Sequence, residues 1–263
     1  MRMHVNMRRV AASVGSAALL LGCAATSWGQ AYPSRPVRMI VPFAPSGGTD
    51  FIGRLVGQKL GEAWKTPIVI DNRPGAGSTV GTAMTAKALP DGYTICATSM
   101  SHAINATLYR KLPYDSIRDF TPVVLTARAP NVLVVNPSVS AHSVKELIAL
   151  AKARTTPFNY SSSGTGGVSH LSMEVFRAVA GMEANHVPYK GAGPAMTALI
   201  GGEVQLMMAT SPVALAQMKA NRVRAIAISS RQRSQLMPDL PTIAEAGFPG
   251  FETDTWYGLI LPA

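Results

Sequence analysis

The sequence predicts an α/β protein made of two lobes, each organised around a largely parallel sheet. Three observations carry this. Short apolar strands alternate with amphipathic helices from residue 37 onward. One long extended stretch near residue 130 interrupts the alternation, which then resumes. The strand-to-helix turns in both runs are rich in Gly, Ser and Pro.

In order, residues 37–41 read as a strand, and residues 49–60 as a helix with Ile52, Leu55, Val56 and Leu60 on one face. A second strand covers 67–70, an Ala-rich helix 77–89 and a third strand 93–98. This βαβαβ order implies a parallel sheet covered by helices on both faces. Residues 121–136 are extended and broken at Ala129-Pro130, as in a segment running from one domain into another. Ser143-x-x-Glu146 is a capping box that opens a helix through residue 153. Strands follow at 158–161, 184–187, 204–208 and 223–228, with helices at 171–180 and 194–200. Thr242-x-x-Glu245 is expected to cap a short helix ended by Gly247. Residues 251–262 are again extended and read as the return crossover.

The chain has 263 residues, 47% of them hydrophobic and 14% charged. That is enough for one large core or two modest ones and excludes long disorder. Residues 1–31 read as a Sec signal peptide, so the expected location is the periplasm. Arg2, Arg8 and Arg9 precede an apolar run over 10–21, shorter than the ~20 residues a membrane span needs. Gly29 and Ala31 stand two apart, as a signal peptidase prefers. Leu20-Leu21-Gly22-Cys23 resembles a lipoprotein site, and anchoring through Cys23 is the less favoured outcome. Loss of this segment removes three arginines and no acid, lowering the formal charge from +10 to +7. The remaining basic residues are dispersed with no aromatic-interleaved stripe, which argues against nucleic acid and is compatible with an anionic solute. Cys96 then has no partner and reads as a small core residue.

Four turns stand out: Phe43-Ala44-Pro45-Ser46-Gly47-Gly48-Thr49-Asp50, Asn72-Arg73-Pro74-Gly75-Ala76-Gly77-Ser78, Ser161-Ser162-Ser163-Gly164-Thr165-Gly166-Gly167 and Pro188-Tyr189-Lys190-Gly191-Ala192-Gly193. In a parallel α/β sheet such turns gather at the carboxyl ends of the strands, where ligands bind. Their free N–H groups and helix dipoles make an anion site without any arginine. Ser99-Met100-Ser101-His102, after the third strand, is expected on the same edge. Asp50 is placed either to meet a ligand amino group or to cap its own helix. Lys190 is placed to meet a carboxylate or to be solvated, and Arg73 to do the same or to pair with Asp71. His170 lies in the first turn of its helix, where capping or packing is commoner than base chemistry.

Enzyme signatures mostly fail. There is no G-x-S-x-G elbow and no Walker A loop. In Gly75-x-Gly77-x-x-x-Gly81 the third glycine falls one place late for a dinucleotide loop. The histidines lack metal-ligand spacing. The expectation is a binding protein with no catalysis, no cofactor and no metal. The alternative is a secreted enzyme acting on a small carboxylate in the same cleft.

Several motifs recur together: Tyr32-Pro33-Ser34-Arg35-Pro36, Ile40-Val41-Pro42-Phe43-Ala44-Pro45-Ser46-Gly47-Gly48-Thr49-Asp50, Asn72-Arg73-Pro74-Gly75-Ala76-Gly77, Pro90-Asp91-Gly92-Tyr93-Thr94, His186-Val187-Pro188-Tyr189-Lys190-Gly191 and Pro238-Asp239-Leu240-Pro241-Thr242. From Tyr32 onward the chain resembles the Bug family, the substrate-binding receptors of tripartite tricarboxylate transporters. The resemblance implies a type II periplasmic binding protein, with two Rossmann-like lobes joined by two crossover segments. It implies a monomeric receptor for a di- or tricarboxylate, amino acid or aromatic acid, delivered to membrane permease subunits or presented to a sensor kinase. It places ligand contacts at Phe43, Ala44, Pro45, Ser46, Gly47, Gly48, Thr49 and Asp50, and at Ser162, Ser163, Gly164, Thr165, Gly166, Gly167 and His170. Tyr189, Lys190 and Gly191 are expected nearby. The family usually has glycine where Ser46 stands, and often an acid near Ala209-Thr210. Lobe 1 is expected from 32–128 plus 254–263 and lobe 2 from 129–253. Family members continue past Leu261-Pro262 with helices that complete the first lobe, so exposed apolar faces and poor stability are expected here.

Overall fold

A computed structural model describes residues 32–263; the expected signal peptide lies outside the described residues. Val37–Val41 (β1), Ile68–Asn72 (β2) and Thr94–Ser99 (β3) pair in parallel in the order β2-β1-β3. They are parallel because helices make the connections. Gly48–Trp64 (α1) joins β1 to β2, and a 3₁₀ turn, Ala76–Ser78, followed by Thr79–Ala86 (α2), joins β2 to β3. Ser101–Leu108 (α3) follows β3. Thr255–Pro262 (β10) then lies antiparallel to β3 on one side and to Phe120–Ala129 (β4) on the other.

The second sheet has the order β7-β6-β8-β5-β9. Its strands are Asn131–Val135 (β5), Phe158–Ser162 (β6), Ala184–Pro188 (β7), Leu206–Thr210 (β8) and Arg224–Ile228 (β9). Its helices are Val144–Ala153 (α4), Val168–Ala180 (α5), Ala192–Ile200 (α6) and Ser211–Lys219 (α7). The β6 strand pairs in parallel with β7 and β8, while β5 is antiparallel to β8 and β9. Both sheets are therefore mixed rather than parallel. The strands that run in reverse sit beside the crossovers.

Those crossovers are tied down by side chains. Ser211 donates from its N–H and its Oγ to the Pro130 carbonyl, at 3.1 and 2.6 Å. The Asn131 amide donates to Ser172 Oγ at 3.1 Å and to the Thr253 carbonyl. Ser229 Oγ also donates to the Thr253 carbonyl, at 3.0 Å. The outgoing and returning chains thus share one hydrogen-bonded junction.

Three local departures from the sequence reading have clear causes, and the break at Ala129-Pro130 falls where it was read, between β4 and β5. The helix expected over 77–89 is interrupted because Gly77 (φ 59°) and Ser78 (φ 89°) adopt left-handed backbone. The helices α3 and α7 went unpredicted, since both are short and α7 begins directly at the end of β8. Thr242 and Glu245 do exchange capping bonds of 3.0 and 2.9 Å, but the chain turns away without forming a helix.

The second sheet is buried on both faces. Leu133, Tyr160, Phe176 and Leu206 pack on one side, and Val134, Leu199, Met207 and Ile228 on the other. The first sheet packs Val37, Met39, Val41, Ile95 and Leu259 against α1. Its opposite face is partly bare: Ile117 is 84% exposed, and Val123, Val124 and Leu125 are about half exposed along a groove of about 610 Å³. Cys96 is fully buried, and burial pushes its thiol pKa up to about 12.

Candidate ligand site between the lobes

Three helices begin at uncapped glycines and point their first turns toward the space between the sheets. The residues before α1, α5 and α6 are Gly47, Gly167 and Gly191, and none of these helices has a side-chain cap bond. Each leaves N–H donors and the positive end of a helix dipole at the junction.

Two neighbouring cavities lie there. The inner one, about 30 Å³, is lined from the first lobe by Phe43, Gly47, Thr49, Ser99, Ser101, Thr255 and Tyr257. Ser163, Val168, Ser169, Ala192 and Thr210 close it from the second. That volume suits a water or two rather than a whole organic acid. The outer one, about 270 Å³, shares Phe43 and Ser163. It adds Gly75, Gly77, Ser78 and Tyr109 from one lobe and Gly164, Thr165, Tyr189 and Lys190 from the other.

The inner wall is polar in a costly way. Ser101 and Thr255 are at most 1% exposed, yet their hydroxyl oxygens make no hydrogen bond, while the buried Tyr257 hydroxyl faces that of Thr210. An unmet buried hydroxyl costs about 1–3 kcal/mol. Two on one small cavity are therefore a standing capacity for a polar guest. Burial pushes the Tyr257 phenol up to about 12, so it remains a donor at neutral pH.

The lobes touch through backbone. Ala44 N–H donates to the Lys190 carbonyl at 3.2 Å. A Cβ at Gly48 would run into the Tyr257 hydroxyl and come within 2.7 Å of Thr210 Oγ1, so only glycine fits between these two elements. Gly77 is left-handed, and a Cβ there would strike the Thr165 carbonyl across the cleft.

The expected site residues divide accordingly. Phe43, Gly47, Thr49, Ser99, Ser163, Gly164, Thr165, Tyr189 and Lys190 line one or both cavities. Gly48 and Gly191 lie at the lobe contact, and Gly191 packs against Ala44. Pro45 meets Gly193 through its carbonyl, and Gly167 caps α5. Asp50 is 3% exposed and faces inward. Its Oδ1 accepts from Asn72 at 2.9 Å, and its Oδ2 accepts from Ser46 N–H at 3.0 Å and Arg54 Nε at 2.9 Å. Burial pushes its pKa up, and these donors more than reverse that, leaving it lowered. Ser46 takes a left-handed φ of 66° to make its bond. Arg73 is paired with Asp71 at 2.8 Å. Gly166 meets Leu108 of the first lobe, and Ser162 and His170 line neither cavity.

Sequence reasoning reached Ser101 with Ser99 but missed Thr210, Thr255 and Tyr257. Thr210 ends a strand that leads directly into a helix, so the rule that picked the other turns reaches it. Thr255 and Tyr257 carried no signal, because their role depends on β10 inserting beside β3.

Residues 52–263 match the model of a family described as tripartite tricarboxylate transporter family receptor, TctC. Protein BugT of Bordetella pertussis is 38% identical over 98% of this chain and 80% of that protein. A protein encoded between tcbD and tcbE in a Pseudomonas species (strain P51) is 37% identical over 98% of this chain and 77% of its own length. Among solved structures, an adipate complex from R. palustris is 38% identical with a TM-score of 0.86, covering 88% of this chain and 78% of that one. MatC from Rhodopseudomonas palustris with bound malate is 33% identical with a TM-score of 0.83, over 88% and 79%. The periplasmic binding protein BugD is 33% identical with a TM-score of 0.85, over 88% and 77%. Two mixed sheets with uncapped helix starts facing a shared cleft are thus the frame of a periplasmic receptor, and the chain belongs to the tripartite tricarboxylate transporter receptor family, which includes the Bug proteins.

Proposed function

We propose that this protein is a periplasmic receptor that closes its two lobes on a small carboxylic acid and hands it, unchanged, to the membrane components of a tripartite transporter or to a sensor. The observation that carries this is the inner cavity. The unpartnered Ser101 and Thr255 hydroxyls, with uncapped helix starts from both lobes, offer donors without a fixed cation. Such a set suits a carboxylate, which accepts through both oxygens. Related structures hold malate and adipate, acids with a carboxylate at each end. One carboxylate would sit against Thr49, Ser99 and Ser163. The chain of the acid would run past Phe43 toward Lys190 and Tyr189 in the outer cavity. Residues 1–31 would direct export as a cleaved signal peptide.

Binding rather than turnover is favoured because Ser162 and His186, which form a close serine–histidine pair, line neither cavity. The test is calorimetric titration with malate and adipate, and with the diols of the same chain lengths. Saturable binding of at least one acid, no heat from the diols and recovery of unaltered acid support the reading. Binding of the diols alone, or consumption of the acid, would overturn it.

A further inference from the structure

Behind the 162–167 loop two imidazoles stack with ring centroids 4.0 Å apart, His170 from α5 and His186 from β7. Each holds a different point of the loop. Gly166 N–H donates to His170 Nδ1 at 3.3 Å. A backbone N–H can only donate, so His170 Nδ1 must carry a lone pair, and its proton sits on Nε2. Ser162 Oγ lies 2.6 Å from His186 Nε2 and accepts the Gly164 N–H at 3.2 Å. The serine hydrogen can go to His186 Nε2 when that nitrogen carries a lone pair, as it does in one tautomer of the neutral ring. Between these anchors lie Ser163, Gly164 and Thr165, all on a cavity wall.

Resting on the receptor reading above, we infer that His170 and His186 are positioning residues: as neutral acceptors they hold the second-lobe loop in its ligand-facing shape, and protonation of either releases it. Protonating His170 puts a hydrogen on Nδ1 against the Gly166 N–H. Protonating His186 makes Nε2 a donor, so Ser162 Oγ must accept there and its own hydrogen loses that partner.

The surroundings favour the neutral pair. Tyr160 of β6 stacks on His186 at 5.0 Å and offers no charge. Glu174, on the same helix as His170, would attract a proton, but it already accepts from Tyr160 and pairs with Arg177 at 2.8 Å. Burial lowers the His170 pKa, with Arg177 adding to the effect and Glu174 opposing it. For His186, burial and then the neighbouring His170 lower the value to about 4.

The test measures affinity for malate and adipate at about pH 8 and about pH 4 in the parent, in His170→Gln and in His186→Gln. Glutamine can accept at the same place but does not titrate. Carried down to about pH 4, acidification should cost the parent about twofold or more in affinity, since about half of His186 is protonated there, and should cost little above that pH. Each glutamine variant should bind at pH 8 within a few-fold of the parent and lose less on acidification. A parent with no loss, or variants that fall in parallel with it, overturns the inference. Amide NMR of the unliganded protein separates this from the receptor reading. If neither acid binds at pH 8, that reading fails, yet the Gly164 and Gly166 amides should still shift with histidine titration in the parent. Amides that stay still while the imidazoles titrate refute the positioning role.

Discussion

The two lobes build their cleft-facing loops alike and brace them by different side chains. In the first lobe an ionised carboxylate, Asp50, gathers three donors and pins the loop before α1. In the second, His170 accepts from the Gly166 N–H and His186 shares a hydrogen bond with Ser162 in the loop before α5. The lobes differ also in cover. The second sheet is packed on both faces, while the first leaves Val123, Val124 and Leu125 half exposed. A shared topology therefore does not dictate a shared way of holding a loop, or equal burial.

The strongest break of the pair should come at the lobe contact. Gly48→Asp should cost at least about a hundredfold in affinity, near 2.7 kcal/mol. Its side chain would enter the space of the Tyr257 hydroxyl and add a negative charge. Titration with malate and adipate checks this, and affinity within tenfold of the parent would refute the packing argument. On the second lobe Ser163→Ala removes one hydroxyl from both cavities. It should cost about tenfold, the worth of a single hydrogen bond.

Asp50→Asn strips the charge that organises Ser46, Arg54 and Asn72. Thermal or denaturant unfolding should show a loss of about 1–3 kcal/mol. No loss would mean that the amide satisfies the same donors.

The two braces should also separate in acid. The lowered folded pKa values of His170 and His186 mean that the unfolded chain takes up protons first. Stability should fall as pH drops from about 6.5 toward the folded values, about 4 for His186. Asp50 acts lower, because its folded pKa is depressed. Its contribution is present above the usual carboxylate value of about 3.9 and is lost as pH falls through the folded one. Melting temperatures followed from pH 8 to pH 3 should decline in two stages, and His186→Gln should weaken the first only. A single stage would place the acid response elsewhere.

The smallest effect concerns the bare face. Leu125→Lys should alter stability by no more than about 0.5 kcal/mol. It should nevertheless reduce self-association measured by light scattering, since it charges an exposed apolar groove.

Much of this was legible in the sequence. The apolar strands, the capping box at Ser143 and the Gly-rich turns depend on neighbours a few residues away, so alternation and turn chemistry expose them. The first cleft-facing loop was readable for the same reason. Asp50 was placed correctly at its helix start, but its choice between ligand and fold was open until Asn72, twenty-two residues on, was seen to bond it. His170 was assigned to the site from its loop. The structure puts it behind that loop because His186 stacks on it from another strand.

By itself the sequence determined the two α/β runs, the crossover near Pro130 and the family. Each is written in local pattern or contiguous motif. Only the tertiary structure decided which hydroxyls face the cleft, that Asp50 is occupied and that two histidines share one stack. Those facts depend on groups brought together by sheet order and by the return of β10 beside β3, and no periodicity along the chain records such distances.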